Sequence, residues 1–292
     1  MDGILCLDKP DHMTSFACCA VLRRLVGEKK AGHTGTLDPM ATGVLPVLFG
    51  RATRAIPLLP VQDKRYTATL TFGYCSDTLD IWGKVEPTGA DAPALGDIEA
   101  VLPAFRGEIW QVPPMMSALK RDGVRLYDLA RRGIEVEREA RAVTVQRLDI
   151  VDYDPQKGIL TLDCACSKGT YIRTICDDLG RRLGCGAVMS ALRRTEAAGF
   201  GLPDCLTLDE ARELAAEGTL SGRIRPVEEA FASYPALRVS AGQAIRFCHG
   251  GALALDRLTA VPTGIVRVQD PQGTFLGLGE PAQGELQVKR LF

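Results

Sequence analysis

Apolar residues recur at helical spacing in some stretches and at strand spacing in others, in an irregular order. Thr14 and Ser15 precede an apolar run of helical period that Gly27 follows, so the sequence predicts a capped first helix. Short apolar or alternating runs predict strands over 43–50 and from Tyr66 onward. No strict strand–helix–strand repeat and no glycine-rich nucleotide-binding loop accompanies them.

The middle of the chain continues this mixture. An alternating strand over 158–167 leads directly into a helix whose apolar face is formed by Ile172, Ile175, Leu179 and Leu183. Further helices are predicted over 97–105, within the charged segment 115–142, and from a capping box at 207–210.

Beyond about Tyr234 the pattern changes, because helical spacing disappears and glycine becomes more frequent. Short alternating runs replace it, over 264–270, 273–280 and 284–292. They predict a small β-rich module that begins near 232–240. We therefore expect an α+β protein with a mixed central β-sheet flanked by helices in residues 1–234 and a small β-rich domain in residues 235–292.

Charge is balanced over the chain but not locally. The 292 residues include 35 Lys and Arg against 36 Asp and Glu, a formal net charge of −1. Basic residues outnumber acidic ones over 120–147 and 168–194, whereas 76–104 and 204–217 are acidic. The basic segments fit either a face that binds a polyanion or the solvated faces of ordinary helices.

Ten cysteines and three histidines raise the question of a metal or disulfide framework. No Cys-x-x-Cys pair occurs and no histidine lies beside a cysteine cluster, so we expect no metal site. The first residues lack the basic and apolar segments of a secretory signal, and no apolar run reaches the length of a membrane span. The cysteines are therefore predicted to be reduced and mostly buried, in a cytoplasmic protein that contacts no membrane.

The segment 31–46 combines glycines and prolines with a single carboxylate, Asp38. Gly32 and Gly35 leave the backbone before Asp38 permissive, and Pro39 restricts it afterwards. On its own, an Asp-Pro pair is most often the start of a turn. The alternative is a nucleophile or base in a groove that a bulky substrate approaches closely.

Four motifs, in this order and spacing, resemble those of the bacterial tRNA pseudouridine synthase B (TruB) family. They are HTGTLDPMATGVLP (33–46), DKRYTATLTFG (63–73), CSKGTYIRT (166–174), and the LGCGA and LRR pieces of 183–194. The opening LDKPDHMTS (7–15) resembles the KPxGxTS element of that family. The likeness covers nearly the whole chain, including the arginine-rich segment and the β-rich tail.

The resemblance implies that a uridine in the T-loop of tRNA, conventionally uridine 55, is isomerised to pseudouridine. The N-glycosidic bond breaks, the uracil rotates and a C–C bond forms, so no cofactor is required. The implied fold has a cleft across the sheet of a catalytic domain (1–234), a mobile flap over about 115–142 and a PUA-like RNA-binding domain (235–292). The implied partner is the T-arm of tRNA, and we expect a monomer without an obligate protein partner.

By resemblance, Asp38 is the catalytic nucleophile, and whether it attacks ribose C1′ or uracil C6 stays open. Arg173 matches the family arginine that pairs with this aspartate. Otherwise it would be a solvated residue in the first turn of a helix, an unfavourable place for a cation. Tyr66 matches the tyrosine that stacks on the flipped base, where an ordinary core aromatic is the alternative.

Three further residues match substrate-binding positions of the family. Tyr171 matches a tyrosine that lines the pocket, and Leu192 matches the leucine beside the target base. His33 matches the histidine that enters the T-loop where the target base has left, although an isolated histidine is more often structural.

The sequence departs from the family pattern at three places. His12 stands where KPxGxTS has glycine, Met116 replaces a common tyrosine, and Val188 replaces a common histidine. None of these is the nucleophile, so the departures concern contacts with the RNA.

A non-catalytic tRNA-binding or tRNA-folding protein on the same scaffold is the alternative function, and a synthase acting on another RNA is a third. The joint presence of Asp38 and Arg173 favours the enzyme.

Overall fold

A large mixed sheet and a smaller sheet organise the fold, which a computed structural model describes for residues 2–259 and 262–292. The strands are β1 (Gly3–Lys9), β2 (Ala31–His33), β3 (Thr42–Phe49), β4 (Lys64–Phe72), β5 (Tyr74–Ser76), β6 (Val85–Pro87), β7 (Gly107–Gln111), β8 (Lys120–Arg121), β9 (Val124–Arg125), β10 (Arg141–Asp154), β11 (Ile159–Cys166), β12 (Ala187–Ala197), β13 (Phe200–Gly201), β14 (Cys205–Leu206), β15 (Ala236–Arg238), β16 (Leu253–Ala254), β17 (Val266–Gln269), β18 (Phe275–Ala282) and β19 (Glu285–Leu291). The helices are α1 (Ser15–Val26), α2 (Leu95–Val101), α3 (Leu126–Ala130), α4 (Ile172–Arg182), α5 (Leu208–Ala216) and α6 (Ala241–Cys248).

The larger sheet has, among the described residues, ten strands. Their order is β14-β1-β3-β12-β4-β11-β10-β7, with β2 added to β3 and β13 added to β12. The pairs β1–β14 and β3–β12 are parallel, whereas the pairs that extend from β12 through β4, β11 and β10 to β7 are antiparallel. The register of β3 on β12 covers two residue pairs, Arg193–Thr42 and Arg194–Gly43. This short seam joins two halves of the sheet, and the predicted mixed α+β architecture is confirmed.

Helices cover one face of each half. Apolar residues of α1 and α5 pack with those of β1 and β3 in one core cluster. In the other half, α2 and α4 cover the alternating buried residues of β4 and β11. The caps of α1 are the predicted ones, because the Thr14 hydroxyl accepts a hydrogen bond from the Ala17 amide at 3.0 Å and Gly27 has a φ of 70°.

Two predicted boundaries shift in the first 234 residues. Strand β4 begins at Lys64, two residues before Tyr66. The helix expected over 97–105 is instead α2 followed by a 3-10 turn at Leu102–Phe105. Pro103 lies in that turn and has no amide hydrogen to continue the α-helical bonding, which explains the change of helix type.

The tail contains a five-stranded sheet, within its described residues, in the order β15-β17-β18-β19-β16. The expectation that helices are absent after Tyr234 is wrong, because α6 begins at a reciprocal capping box. Ser240 Oγ accepts from the Gln243 amide at 3.4 Å, and Gln243 Oε1 accepts from the Ser240 amide at 2.8 Å. Ala244 and Phe247 are buried one helical turn apart, whereas Gly242 in the first turn obscures the helical pattern in the sequence.

The tail packs against the larger unit through aromatic rings. Phe231, which precedes the tail, lies 6.2 Å from Phe275 and 5.5 Å from Phe292 between ring centroids. All ten cysteines lie in the described ranges, and none forms a disulfide there. Seven of them are buried, which agrees with the prediction that most are. In the described part of the chain, no helix has both the length and the apolar character that crossing a membrane requires.

Candidate active site

The loop between β2 and β3 holds Asp38 between two anchored neighbours. The Ser15 hydroxyl accepts a hydrogen bond from the Leu37 amide at 2.8 Å and donates to the Leu37 carbonyl at 3.1 Å. On the other side, Lys9 Nζ donates to the Pro39 carbonyl at 3.1 Å. Both Lys9 and Ser15 are buried. The segment that joins β1 to α1 therefore fixes the backbone on both sides of the Asp38 carboxylate.

The same backbone is also a turn, since the Ala41 amide donates to the Asp38 carbonyl at 3.0 Å. The Asp-Pro turn interpretation is thus confirmed for the main chain. It does not account for the side chain, which points toward a buried arginine rather than back to the turn.

Arg173, the second residue of α4, binds the Asp38 carboxylate with two nitrogens. Nε lies 2.9 Å from Asp38 Oδ2, and Nη2 lies 3.3 Å from Asp38 Oδ1. Its other contacts are the carbonyls of Thr78, at 3.1 Å from Nη1, and of Met116, at 2.8 Å from Nη2. The side chain is 5% exposed, so the solvated-helix interpretation of Arg173 is wrong. A fork held in this way orients the carboxylate as well as supplying charge.

Asp80 completes the charged cluster, and the sequence analysis did not identify it. Its Oδ2 lies 3.7 Å from Arg173 Nη1, while its Oδ1 accepts from the Thr78 hydroxyl at 2.7 Å and from the Trp82 amide at 3.0 Å. The loop that carries it is fastened to β12, because the Ile81 amide donates to the Met189 carbonyl at 3.0 Å. Asp80 is buried, so Arg173 lies between two carboxylates.

The electrostatics of Asp38 combine opposing effects. Its side chain is 34% exposed, whereas those of Arg173 and Asp80 are 5% and 9% exposed. Burial raises the pKa of Asp38, the Arg173 guanidinium opposes that rise, and the nearby Asp80 adds to it. Burial also lowers the pKa of Lys9, against the smaller effects of Asp11 and Asp38. Asp38 is thus an accessible carboxylate whose ionised form depends on a buried cation.

Tyr66 lies on β4, directly opposite Arg194 of β12 in the strand register. It is buried, and burial raises the pKa of Tyr66 to about 12 although Arg194 opposes the shift. Leu192 is buried in the same apolar cluster as Tyr66 and Leu37. Tyr66 and Leu192 thus share an apolar cluster with Leu37, the residue that precedes Asp38.

In the sequence Arg194 is only one residue of a motif, without an expected role. In the structure it is completely buried. Its Nε donates to the Val44 carbonyl at 2.7 Å and its Nη2 to the Gly35 carbonyl at 3.1 Å. The signal in the sequence was a charged residue at a core position of an apolar strand. His33 lies on β2, half-buried, and burial and the charge of Arg194 lower the pKa of His33. His33 is thus within electrostatic reach of Arg194.

Tyr171 forms the N-terminal boundary of α4, and its backbone is held by one side chain. Gln111 Oε1 accepts from the Tyr171 amide at 3.1 Å, and Gln111 Nε2 donates to the Tyr171 carbonyl at 3.3 Å. The ring is half-buried, and burial raises the pKa of Tyr171 while Arg173 opposes the rise. Tyr171 thus lies two residues before Arg173, at the start of the same helix.

The three departures from the family pattern have different surroundings. Met116 binds Arg173 through its carbonyl, a contact that any residue can make. Val188 is buried in β12, opposite Thr71 of β4. His12 has a φ of 60°, in the left-handed region that glycine adopts readily and a residue with a β-carbon does not.

The flap segment carries exposed cations beside one ring. The β8–β9 hairpin and α3 form it, and the Cζ atoms of Arg125 and Arg131 lie 5.7 and 5.4 Å from the Tyr127 ring centroid. Arg132 follows, also exposed. Because Met116 at the base of the flap binds Arg173, the flap is connected directly to the charged cluster. In the described ranges no group of three or more His, Cys, Asp or Glu side chains is arranged to hold a metal ion.

Comparison with known families identifies the family to which this chain belongs. The model of the TruB family pseudouridylate synthase N-terminal domain matches residues 23–172, more than half of the chain. The chain belongs to the TruB family. Two further models match the rest of this TruB-family chain: the tRNA pseudouridylate synthase B C-terminal domain over 173–232 and the pseudouridine synthase II TruB C-terminal domain over 235–292.

Full-length relatives agree with this assignment. The chain is 44% identical over 295 aligned positions to "tRNA pseudouridine synthase B" of Stutzerimonas stutzeri (strain A1501), covering 100% of this chain and 95% of the relative. It is 43% identical to the protein of that name from Pseudomonas aeruginosa (strain UCBPP-PA14), covering 100% and 96%. Among solved structures, a chain of a Cbf5-Nop10-Gar1 complex is similar with a TM-score of 0.75 and 26% identity, covering 99% of this chain and 84% of that chain.

Proposed function

We propose that this TruB-family enzyme isomerises uridine 55 in the T-loop of tRNA to pseudouridine, with Asp38 as the nucleophile. The observation that supports this most directly is the bidentate Asp38–Arg173 pair, in which the carboxylate is accessible and the arginine is buried. An ion pair that served only stability would gain nothing from leaving the carboxylate open to a cleft. The names of the full-length relatives supply the substrate class.

The proposed mechanism assigns each group a task. Asp38, ionised beside Arg173, attacks either ribose C1′ or uracil C6 of the flipped nucleotide, and the N-glycosidic bond breaks. The uracil rotates while it remains bound, its C5 bonds to C1′, and the bond between Asp38 and the nucleotide breaks, which regenerates the carboxylate. Loss of the C5 proton and gain of a proton at N1 complete pseudouridine. Tyr66 stacks on the base, and Leu192 and Tyr171 border it, which limits the motion of the free uracil. His33 is assigned to the space that the target base leaves in the T-loop.

The domain assignment is part of the proposal. Residues 1–234 supply the catalytic cleft, and the segment 115–142 closes on the T-arm as a flap. Residues 235–292 form a PUA-like domain that adds RNA affinity. The chain is proposed to act as a monomer, without the partner proteins named in the Cbf5 complex.

The test is Asp38→Asn, which preserves the shape of the side chain and removes its charge and attacking oxygen. Because stacking and phosphate contacts carry the binding, the variant is expected to bind tRNA with near-wild-type affinity and to form no pseudouridine in single-turnover assays. The measurement is pseudouridine mapping of bulk tRNA after incubation with the purified protein.

A matched control is Asp163→Asn. Asp163 also receives a bidentate arginine, with Arg65 Nε and Nη2 each 2.8 Å from its carboxylate, but on the opposite, polar face of β4 and β11. This variant is expected to retain turnover. If Asp38→Asn converts tRNA as fast as the Asp163→Asn control, the assignment of Asp38 as the nucleophile is wrong. If the wild-type protein forms no pseudouridine but binds tRNA, a tRNA-binding function replaces the enzyme.

A further inference from the structure

Two aromatic rings from different loops stack on the surface of the catalytic domain. The centroids of His12 and Trp82 lie 5.0 Å apart, with an interplanar angle of 24°. His12 follows β1 and Trp82 follows β5. The His12 side chain is 78% exposed and Trp82 is 46% exposed. A ring that only braced two loops would be covered on both faces, whereas here a stacked pair leaves aromatic surface open to solvent.

The histidine reaches this position from an unfavourable backbone conformation. Its φ of 60° is one that the glycine usual at this place in the KPxGxTS element adopts without strain. The Asp11 carboxylate accepts from the His12 amide at 2.6 Å and supports the turn. A residue that accepts backbone strain in order to present an exposed ring suggests a role for that ring.

Both loops are tied to the nucleophile. The Trp82 amide donates to Asp80, which lies 3.7 Å from Arg173, the partner of Asp38. On the other side, His12 lies three residues after Lys9, which holds the carbonyl that follows the nucleophile. The stacked pair is therefore connected to the Asp38–Arg173 cluster through both of its loops.

The carboxylates around the two rings favour binding of a base over binding of a phosphate group. The Asp11 carboxylate lies 3.5 Å from His12 Nε2, and Asp77 and Glu86 lie on the Trp82 side, bonded to the Lys84 amide and ammonium. Carboxylates repel phosphate but do not oppose a neutral base, and aromatic faces stack on any base. We propose that His12 and Trp82 form a stacking platform for an unpaired nucleobase of the RNA substrate next to the target uridine. This inference rests on the RNA binding that is part of the proposed function and not on the isomerisation itself.

Fluorescence can test the platform, since the chain has two tryptophans. Trp110→Phe leaves Trp82 as the only tryptophan, and Trp82→Phe leaves Trp110, an exposed residue of β7, as the control. Each variant is titrated with a T-arm hairpin RNA and with hairpins that carry a single abasic site at each loop position. We expect saturable quenching of Trp82 that one abasic position abolishes, while that position leaves the Trp110 signal unchanged.

Affinity gives the second measurement. Trp82→Ala is expected to weaken binding of the hairpin about 5- to 100-fold, the range for loss of one base–aromatic stack. His12→Gly, which suits the backbone at this position, is expected to weaken binding and to have little further effect in the Trp82→Ala background. A pair that only braces the loops would instead lower the melting temperature and leave the dissociation constant unchanged.

The outcomes separate this inference from the proposed function. If the wild-type protein forms pseudouridine but Trp82 is not quenched and neither variant changes affinity, the platform is overturned and the isomerase stands. If no pseudouridine forms but base-dependent quenching of Trp82 occurs, the platform stands and the isomerase is overturned. If the hairpin does not bind at all, both are overturned.

Discussion

Replacing Arg173 with lysine tests whether the fork, rather than the charge alone, makes Asp38 reactive. The guanidinium serves four hydrogen-bond acceptor atoms: two on Asp38 and the carbonyls of Thr78 and Met116. A lysine ammonium donates from one point and cannot reach all four. Leaving one or two buried carbonyls unpaired costs about 1–3 kcal/mol each, so Arg173→Lys is expected to lose about 2–4 kcal/mol of unfolding free energy.

The electrostatic effect can be estimated from the same contacts. Opposite charges about 4 Å apart attract by about 4 kcal/mol at an effective dielectric constant of about 20. Because Asp38 is about one-third exposed, solvent screening reduces this attraction to about 1–2 kcal/mol. Lysine keeps part of that attraction, so the pKa of Asp38 rises less than it would if the cation were lost completely.

The sign of the pH effect follows from the causes of the pKa shift. Burial raises the pKa of Asp38 and Arg173 opposes that rise, so a weaker cation raises it further. The proposed nucleophile must be ionised, and the single-turnover rate is therefore expected to fall as pH falls through this pKa. In Arg173→Lys the fall is expected at higher pH than in the wild type. At neutral pH the rate is expected to fall about a hundredfold, because misplacement by about 1 Å has that cost.

The assay is pseudouridine formation with enzyme in excess, measured across pH, together with tRNA affinity and thermal unfolding. Arg65→Lys is the matched control, since Arg65 also grips a carboxylate with two nitrogens but lies outside the cleft. An acid limb that stays at the wild-type pH, with a rate loss no greater than in the Arg65→Lys control, would refute the role given to the Arg173 fork.

Two further predictions concern the flap and the nucleophile loop. Replacing the exposed Arg131 and Arg132 with glutamine is expected to weaken tRNA binding. The slope of the logarithm of the association constant against the logarithm of the salt concentration is expected to become shallower by about one unit per lost phosphate contact. An unchanged slope would mean that both side chains are only solvated. Ser15→Ala removes both hydrogen bonds to Leu37 and is expected to slow the single-turnover rate about tenfold at unchanged tRNA affinity, whereas Ser15→Thr retains the hydroxyl and most of the rate. Equal rates for the alanine and threonine variants would contradict the anchoring of Asp38.

The sequence predicted those elements that are stabilised by contacts between residues close together in the chain. The caps of α1 and the capping box of α5 involve residues within a few positions of each other, and both are present. The helix α6 carries a capping box of the same kind at Ser240, but Gly242 and the surrounding alternating runs hid it. The Ser-x-x-Gln spacing of Ser240 and Gln243 is the sequence signal for this helix.

The residues of the candidate site likewise divide into those that the sequence identified and one, Asp80, that it did not. Asp38 and Arg173 were recognised from motifs, and the structure joins them across 135 positions of the chain. Asp80 could not be predicted from pattern, because it lies in an acidic, non-periodic loop that resembles a solvated turn. It becomes buried only when that loop is fastened to Met189 of β12. A contact made by tertiary pairing leaves no local trace in the sequence.

The position of β1 determines when the site can form during synthesis. This strand supplies Lys9 and leads to Ser15, the two anchors of the nucleophile loop. One of its edges pairs with β14, where Cys6 lies opposite Cys205, and Ile4 exchanges backbone hydrogen bonds with Arg225. Strand β1 therefore leaves the ribosome before partners that are made about 200 residues later, and contacts so distant in the chain form slowly. The nascent enzyme stays inactive until nearly the whole catalytic domain has emerged.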